Sequence, residues 1–140
     1  MSPDEDDATR RALTLENECA ASLADKGYQV HQNPTRPEVA DARLRTGDTG
    51  NPRKTPDYLL EGHVFDCYSP TPPKPVRGVW TEVSGKVTES QTQRVVLNLQ
   101  DWRGDLTALR KQFDDWPIPG LKELKAVTRS GVIMQIVPRH

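Results

Sequence analysis

The sequence predicts a single domain of the α/β class, with α+β as the neighbouring assignment, built as a mixed β-sheet flanked by helices. Three observations carry this. Apolar segments at helical spacing alternate along the chain with short strand-like runs, the order expected when helices cover a sheet. The 12 prolines and 9 glycines sit mainly between positions 34 and 78 and around 117–120, between elements instead of inside them. The 140 residues suffice for one hydrophobic core and are too few for two. The hydrophobic fraction is only 34%, yet 19 basic and 20 acidic residues nearly cancel, unlike a disordered chain of high net charge.

Each element follows from local pattern. From Thr14 to Lys26, Leu15, Cys19 and Leu23 recur at helical spacing with Ala12, Ala20 and Ala24, and Gly27 supplies a terminator. The acidic residues before it, 1–12, read as a flexible N-terminus or linker, leaving 13–140 as the domain. Tyr28–His31 alternates as a short strand. Asn33-Pro34 then opens a polar stretch without apolar period, read as a mobile insertion at about 35–55. Asp57–Leu60 and His63–Tyr68 flank Glu61-Gly62 as a hairpin. Ser69–Pro75 is proline-dominated and extended. Val76–Thr92 carries Val79, Trp80, Val83 and Val87 at helical spacing, Arg94–Leu99 is an apolar strand, and Leu106–Phe113 is a further helix. Glu123–Thr128 and Val132–Val137 close the chain as two strands around Ser130-Gly131.

Composition excludes several classes. A net charge of −1 argues against a uniformly basic nucleic-acid binder. The charges are nonetheless uneven: Arg36, Arg43, Arg45, Arg53, Lys54, Lys74 and Arg77 lie in or beside the proline-rich loops, as a local phosphate-binding surface or as solvated loop charges. Cys19 and Cys67 form no CxxC or Cys/His pattern, so neither a zinc site nor a disulfide framework is indicated. No apolar run reaches the roughly 20 residues of a bilayer-spanning helix, and the N-terminus lacks the apolar core of a signal peptide. His31, His63 and His140 share no metal or acid/base spacing, and no serine stands in a nucleophile elbow.

The residues with chemical potential are mostly carboxylates. A two-residue turn sets Asp57 and Asp66 at neighbouring positions on paired strands. Two like charges that close need a cation, and a hard divalent ion such as Mg²⁺ binds through one or two carboxylates plus water and substrate phosphate. The spacing alone equally fits a turn cap and a strand end. Lys86 lies inside the helix at Ser84-Gly85-Lys86-Val87, where an ammonium either stabilises a phosphorane or is simply solvated. Gln91 and Asn98 are positioning groups or amides of a core network. Of the two glutamates in the first helix, Glu16 is placed with Leu23 and Glu18 is turned well away, which makes Glu16 the better inward candidate.

In order along the chain, Leu15-Glu16-Asn17-Glu18, Gly27-Tyr28, Gln32-Asn33-Pro34, Pro56-Asp57-Tyr58, Val64-Phe65-Asp66-Cys67-Tyr68-Ser69-Pro70, Lys86-Val87, Gln91 and Val95-Val96-Leu97-Asn98-Leu99 form a composite pattern. This pattern resembles the C-terminal tRNase domain of contact-dependent growth-inhibition toxins of the CdiA type, from about Leu13 to Val137. The resemblance implies a nuclease core of the PD-(D/E)xK kind. Asp57 and Asp66 then match its metal-binding acids, Lys86 takes the motif lysine's role from a helix, and an N-terminal glutamate, Glu16 or Glu18, completes the site. The strict pattern would put lysine two residues after Asp66, where this chain has Tyr68.

The resemblance further implies a divalent metal such as Mg²⁺, a tRNA substrate and a neutralising immunity protein. It also implies the C-terminal toxin domain of a secreted or cell-surface bacterial protein that acts in the target-cell cytoplasm. Two other readings remain open on the same residues: a DNA endonuclease of the same fold, and a catalytically silent module that binds nucleic acid or protein.

Overall fold

Glu61 and Gly62 take φ values of 50° and 80°, the paired positive torsions of a type I′ turn, whose twist matches that of the flanking strands. They fold Tyr58–Leu60 (β2) onto His63–Tyr68 (β3), as the sequence predicts. The computed structural model describes residues 3–89 and 92–138. Val30–Gln32 (β1) adds to the outer edge of β2. Beyond β3 the chain makes two crossovers: helix Val76–Glu89 (α3) leads to Arg94–Asn98 (β4), and helix Leu106–Asp115 (α4) leads to Glu123–Val127 (β5). β3, β4 and β5 are therefore parallel neighbours, and Ile133–Val137 (β6) returns antiparallel on β5. The result is one six-stranded mixed sheet in sequence order.

The sheet has a core on each face. β4 shows why: Val95 and Leu97 join the cluster formed with Val79, Val83, Leu109 and Phe113 of α3 and α4, whereas Val96 joins Cys19, Ala20 and Leu23 of the N-terminal helix, Pro3–Asp25 (α1). An apolar strand without alternation is what a parallel strand covered on both faces requires. Two successive crossovers in the same direction leave α3 and α4 on one side, and α1 covers the other.

Two elements differ from the sequence reading. α1 begins at Pro3, inside the segment read as a flexible terminus; a proline at the first helical position followed by acidic residues suits a helix N-terminus although it carries no apolar period. The stretch read as a mobile insertion holds a capped helix, Arg36–Thr46 (α2). Thr35 accepts from the Glu38 N–H while the Glu38 carboxylate accepts from the Thr35 N–H, and Gly47 ends the helix at φ 78°. Only Val39 and Ala42 of α2 are buried, too few to give a helical period.

Candidate active site

Extending the Tyr58↔Phe65 register by one residue places Asp57 opposite Asp66, as the hairpin spacing predicts. Each carboxylate is held by one oxygen. Asp57 Oδ2 accepts the backbone N–H of Cys67 at 2.8 Å, and Asp66 Oδ2 accepts the Thr92 hydroxyl at 2.5 Å. α1 comes to the same place because the Tyr58 hydroxyl, on a fully buried ring, donates to the Glu16 carbonyl at 2.5 Å.

Electrostatics ties four predicted residues together. Partial burial raises the Glu16 pKa above its ordinary value, and the charges of Asp57 and then Asp66 add to the rise. Burial likewise raises Asp57; the Cys67 N–H opposes it, Asp66 reinforces it and Lys86 opposes it. Asp57, just before β2, is thus the centre of the group: Glu16 of α1, Asp66 of β3 and Lys86 of α3 all lie close enough to couple to its charge. Glu18, two residues further along α1 and so about 200° around it, is exposed. Gln91 lies outside the described residues. Asn98 is fully buried, donating to the Leu15 carbonyl and accepting from the Gln100 N–H, which makes it a strut between β4 and α1.

Among the described residues no three His, Cys, Asp or Glu side chains form a ready-made metal cage. The donor set nevertheless suits a hard cation. Two carboxylates face each other with one oxygen apiece outside the hydrogen bonds above. Mg²⁺ takes one or two protein carboxylates and completes its shell with water and phosphate.

Several residues of this region escape sequence reasoning. Thr92 orients Asp66 from the loop after α3. Asp48 is buried, accepting from His63 Nδ1 at 2.8 Å and from Arg94 Nε at 3.1 Å. Burial pushes its carboxyl up, but the His63 hydrogen bond and the Arg94 guanidinium outweigh that and hold it below the ordinary Asp range. Arg94 also meets Glu123 at 2.5 Å, and Glu123 meets Lys125 at 3.1 Å, so a charge chain runs across the starts of β4 and β5. A small pocket opens beside Asp66, its wall including Arg43, Asp48, Lys54 and Thr92. The basic cluster in the proline-rich loops was the available signal for Arg43 and Lys54; an isolated Asp or Thr in a polar loop offers none.

The profile of the family described as "Contact-dependent growth inhibition CdiA C-terminal domain" matches residues 54–133, which span β2 through the start of β6. The chain is 37% identical over 137 residues to the tRNA nuclease CdiA-2 of Burkholderia pseudomallei strain 1026b. That alignment takes in 98% of this chain and 4% of the relative's length. Its fold superposes with a TM-score of 0.79 on a solved structure titled as the CdiA-CT/CdiI toxin and immunity complex from Burkholderia pseudomallei, at 36% identity over 99% of this chain and 93% of the solved one.

Proposed function

Since this chain belongs to the contact-dependent growth inhibition CdiA C-terminal domain family, we propose that it is a metal-dependent endoribonuclease that cuts tRNA and is neutralised by an immunity protein. The observation that carries the proposal is the placing of Asp57 opposite Asp66 by the hairpin register, with Glu16 of α1 and Lys86 of α3 close enough to couple to Asp57. A protein that needed these carboxylates only for solubility would leave them apart in water. Bringing them together at the expense of raised pKa values at Glu16 and Asp57 is the arrangement expected where charge is to be used.

In this reading Asp57 and Asp66 hold a divalent ion, with Glu16 as the third acid; when bound, the ion supplies a polarised water and neutralises charge on phosphorus. Lys86 faces the same phosphate and stabilises the extra negative charge that develops as the nucleophile attacks. Thr92 holds Asp66 by one oxygen and would leave the other free for the ion. The site corresponds to a PD-(D/E)xK centre whose lysine comes from α3. The strand position two beyond Asp66 is Tyr68, which packs against the α3/α4 core. The chain would act as the toxin domain of a longer secreted or cell-surface protein, in the cytoplasm of the target cell. Among the described residues no helix is long and apolar enough to cross a membrane.

The test is incubation with total tRNA and with duplex DNA, in Mg²⁺ or EDTA, alongside Asp66→Ala and Lys86→Ala. The expected result is metal-dependent tRNA cleavage that falls by about 10²–10³-fold or more in either variant. Cleavage of DNA alone transfers the site to a DNA nuclease. Binding of tRNA without cleavage overturns catalysis.

A further inference from the structure

The pocket beside Asp66 contains two cations for which the active site described above has no use. Arg43, in the last turn of α2, and Lys54, in the loop before β2, line it together with Asp66 and Thr92. The same two side chains continue into an adjoining hollow with Arg36. Among the described residues neither has an ion-pair partner, and Arg43 Nε is buried with no hydrogen bond at all. Asp48 stands in the same wall, but its Oδ2 is taken by His63 and its Oδ1 by Arg94. The position of the Arg43 guanidinium depends on Gly50, where a Cβ would lie 2.6 Å from Arg43 Nη2.

A buried guanidinium N–H without an acceptor is costly, and nothing in the surrounding wall relieves it. Its natural complement is an anion with several oxygens, which a guanidinium grips through two parallel bonds and a nearby ammonium reinforces. The pocket shares Asp66 with the candidate active site, which sets its two cations beside the carboxylates over which a scissile phosphate would lie.

We propose that Arg43 and Lys54 form a phosphate subsite that holds the RNA backbone phosphate next to the one being cut, a proposal that rests on the nuclease reading. The two side chains are therefore positioning residues that fix the register of the strand over the carboxylates. A folded protein surface would have to insert an acidic side chain into this recess, whereas a polynucleotide crossing Asp66 delivers a phosphate to it as part of the same strand.

The test compares Arg43→Gln, Arg43→Lys, Lys54→Ala and Gly50→Ala, each in an Asp66→Ala background that leaves RNA uncut. Affinity for unfractionated tRNA is measured against salt concentration. Arg43→Gln and Lys54→Ala are expected to weaken binding about tenfold and to lower the slope of log affinity against log salt by about 1. Arg43→Lys keeps the charge and is expected to restore the slope. Gly50→Ala displaces the guanidinium and is expected to weaken binding with all charges retained.

In the otherwise native chain the same variants are expected to raise KM more than they lower kcat. Unchanged tRNA affinity and slope in Arg43→Gln and Lys54→Ala, while the parent still binds tRNA, would overturn the subsite and leave the nuclease reading standing. Intact tRNA binding with lost neutralisation by the immunity protein would also overturn it, assigning the cations to a protein interface. A parent that neither binds nor cuts tRNA overturns both.

Discussion

The β2–β3 hairpin and the segment from Thr35 to Thr55 meet beside Asp66, and different forces hold them. The hairpin is an apolar scaffold. Tyr58, Leu60 and Phe65 are at most 1% exposed under α1, and the turn torsions suit the strand twist. Its two carboxylates ride on that scaffold; Asp57 accepts the Cys67 N–H, yet with its pKa raised its charge opposes folding at neutral pH. The 35–55 segment buries little apart from Val39 and Ala42. Its attachment is polar: the Thr35–Glu38 capping box, Asp48 between His63 and Arg94, and the reciprocal pair in which the Thr49 N–H donates to Gln93 Oε1 while Gln93 Nε2 donates to the Thr49 hydroxyl. In one region charge is carried by hydrophobic structure, and in the other charge is the structure.

The contrast is broken most severely at Asp48. Asp48→Ala leaves His63 and part of Arg94 without a buried partner and is expected to cost about 3 kcal/mol, measured by urea unfolding at pH 7. A loss under about 1 kcal/mol, the scale of an exposed pair, would show that the segment is held by something else. Asp57→Asn should move the other way. The amide oxygen still accepts the Cys67 N–H, the repulsion from Asp66 and Glu16 disappears, and thermal stability at pH 7 is expected to rise while tRNA cleavage is lost. A lower melting temperature would mean that Asp57 supports the hairpin after all.

Acid titration separates the two regions in the parent chain. Asp57 and Glu16 have raised pKa values, so stability should increase as pH falls from neutral through their folded values, above 3.8 and 4.5. Asp48 is lowered: its contribution is complete above 3.8 and is lost as pH falls through its depressed folded value. Denaturant midpoints should therefore pass through a maximum on the acid side of neutral. Asp57→Asn should flatten the rise and Asp48→Ala should remove part of the fall.

This division also decides what could be read from the sequence. The hairpin, α3, β4, α4 and the final strand pair announce themselves because burial imposes a period, and Glu61-Gly62 names its own turn. The two-residue turn then fixes the register that sets Asp57 opposite Asp66. Lys86 follows from the resemblance and Glu16 from helix geometry; in the fold Glu16 lies near both carboxylates and Lys86 near Asp57. α2 lacks such a period because only two small residues of it are buried, although Thr35-Arg36-Pro37-Glu38 and Gly47 spell its two caps. Asp48, Thr92 and Arg94 were illegible for a different reason. Their partners are 15, 26 and 46 residues away in sequence, and nothing local in a polar loop marks a residue for such pairing.

The smallest expected effect probes those caps directly. Thr35→Ala removes the side-chain acceptor at the start of α2 and leaves Glu38 to cap alone, at a cost of about 1 kcal/mol. Because the hairpin draws its stability from the α1 core, hydrogen exchange should quicken over residues 36–46 and stay unchanged over 58–68. Global unfolding of the hairpin should then be insensitive to a change that loosens its neighbour. Equal acceleration in both segments would show that α2 and the hairpin open as one unit, and that the polar attachment through Asp48 is strong enough to merge them.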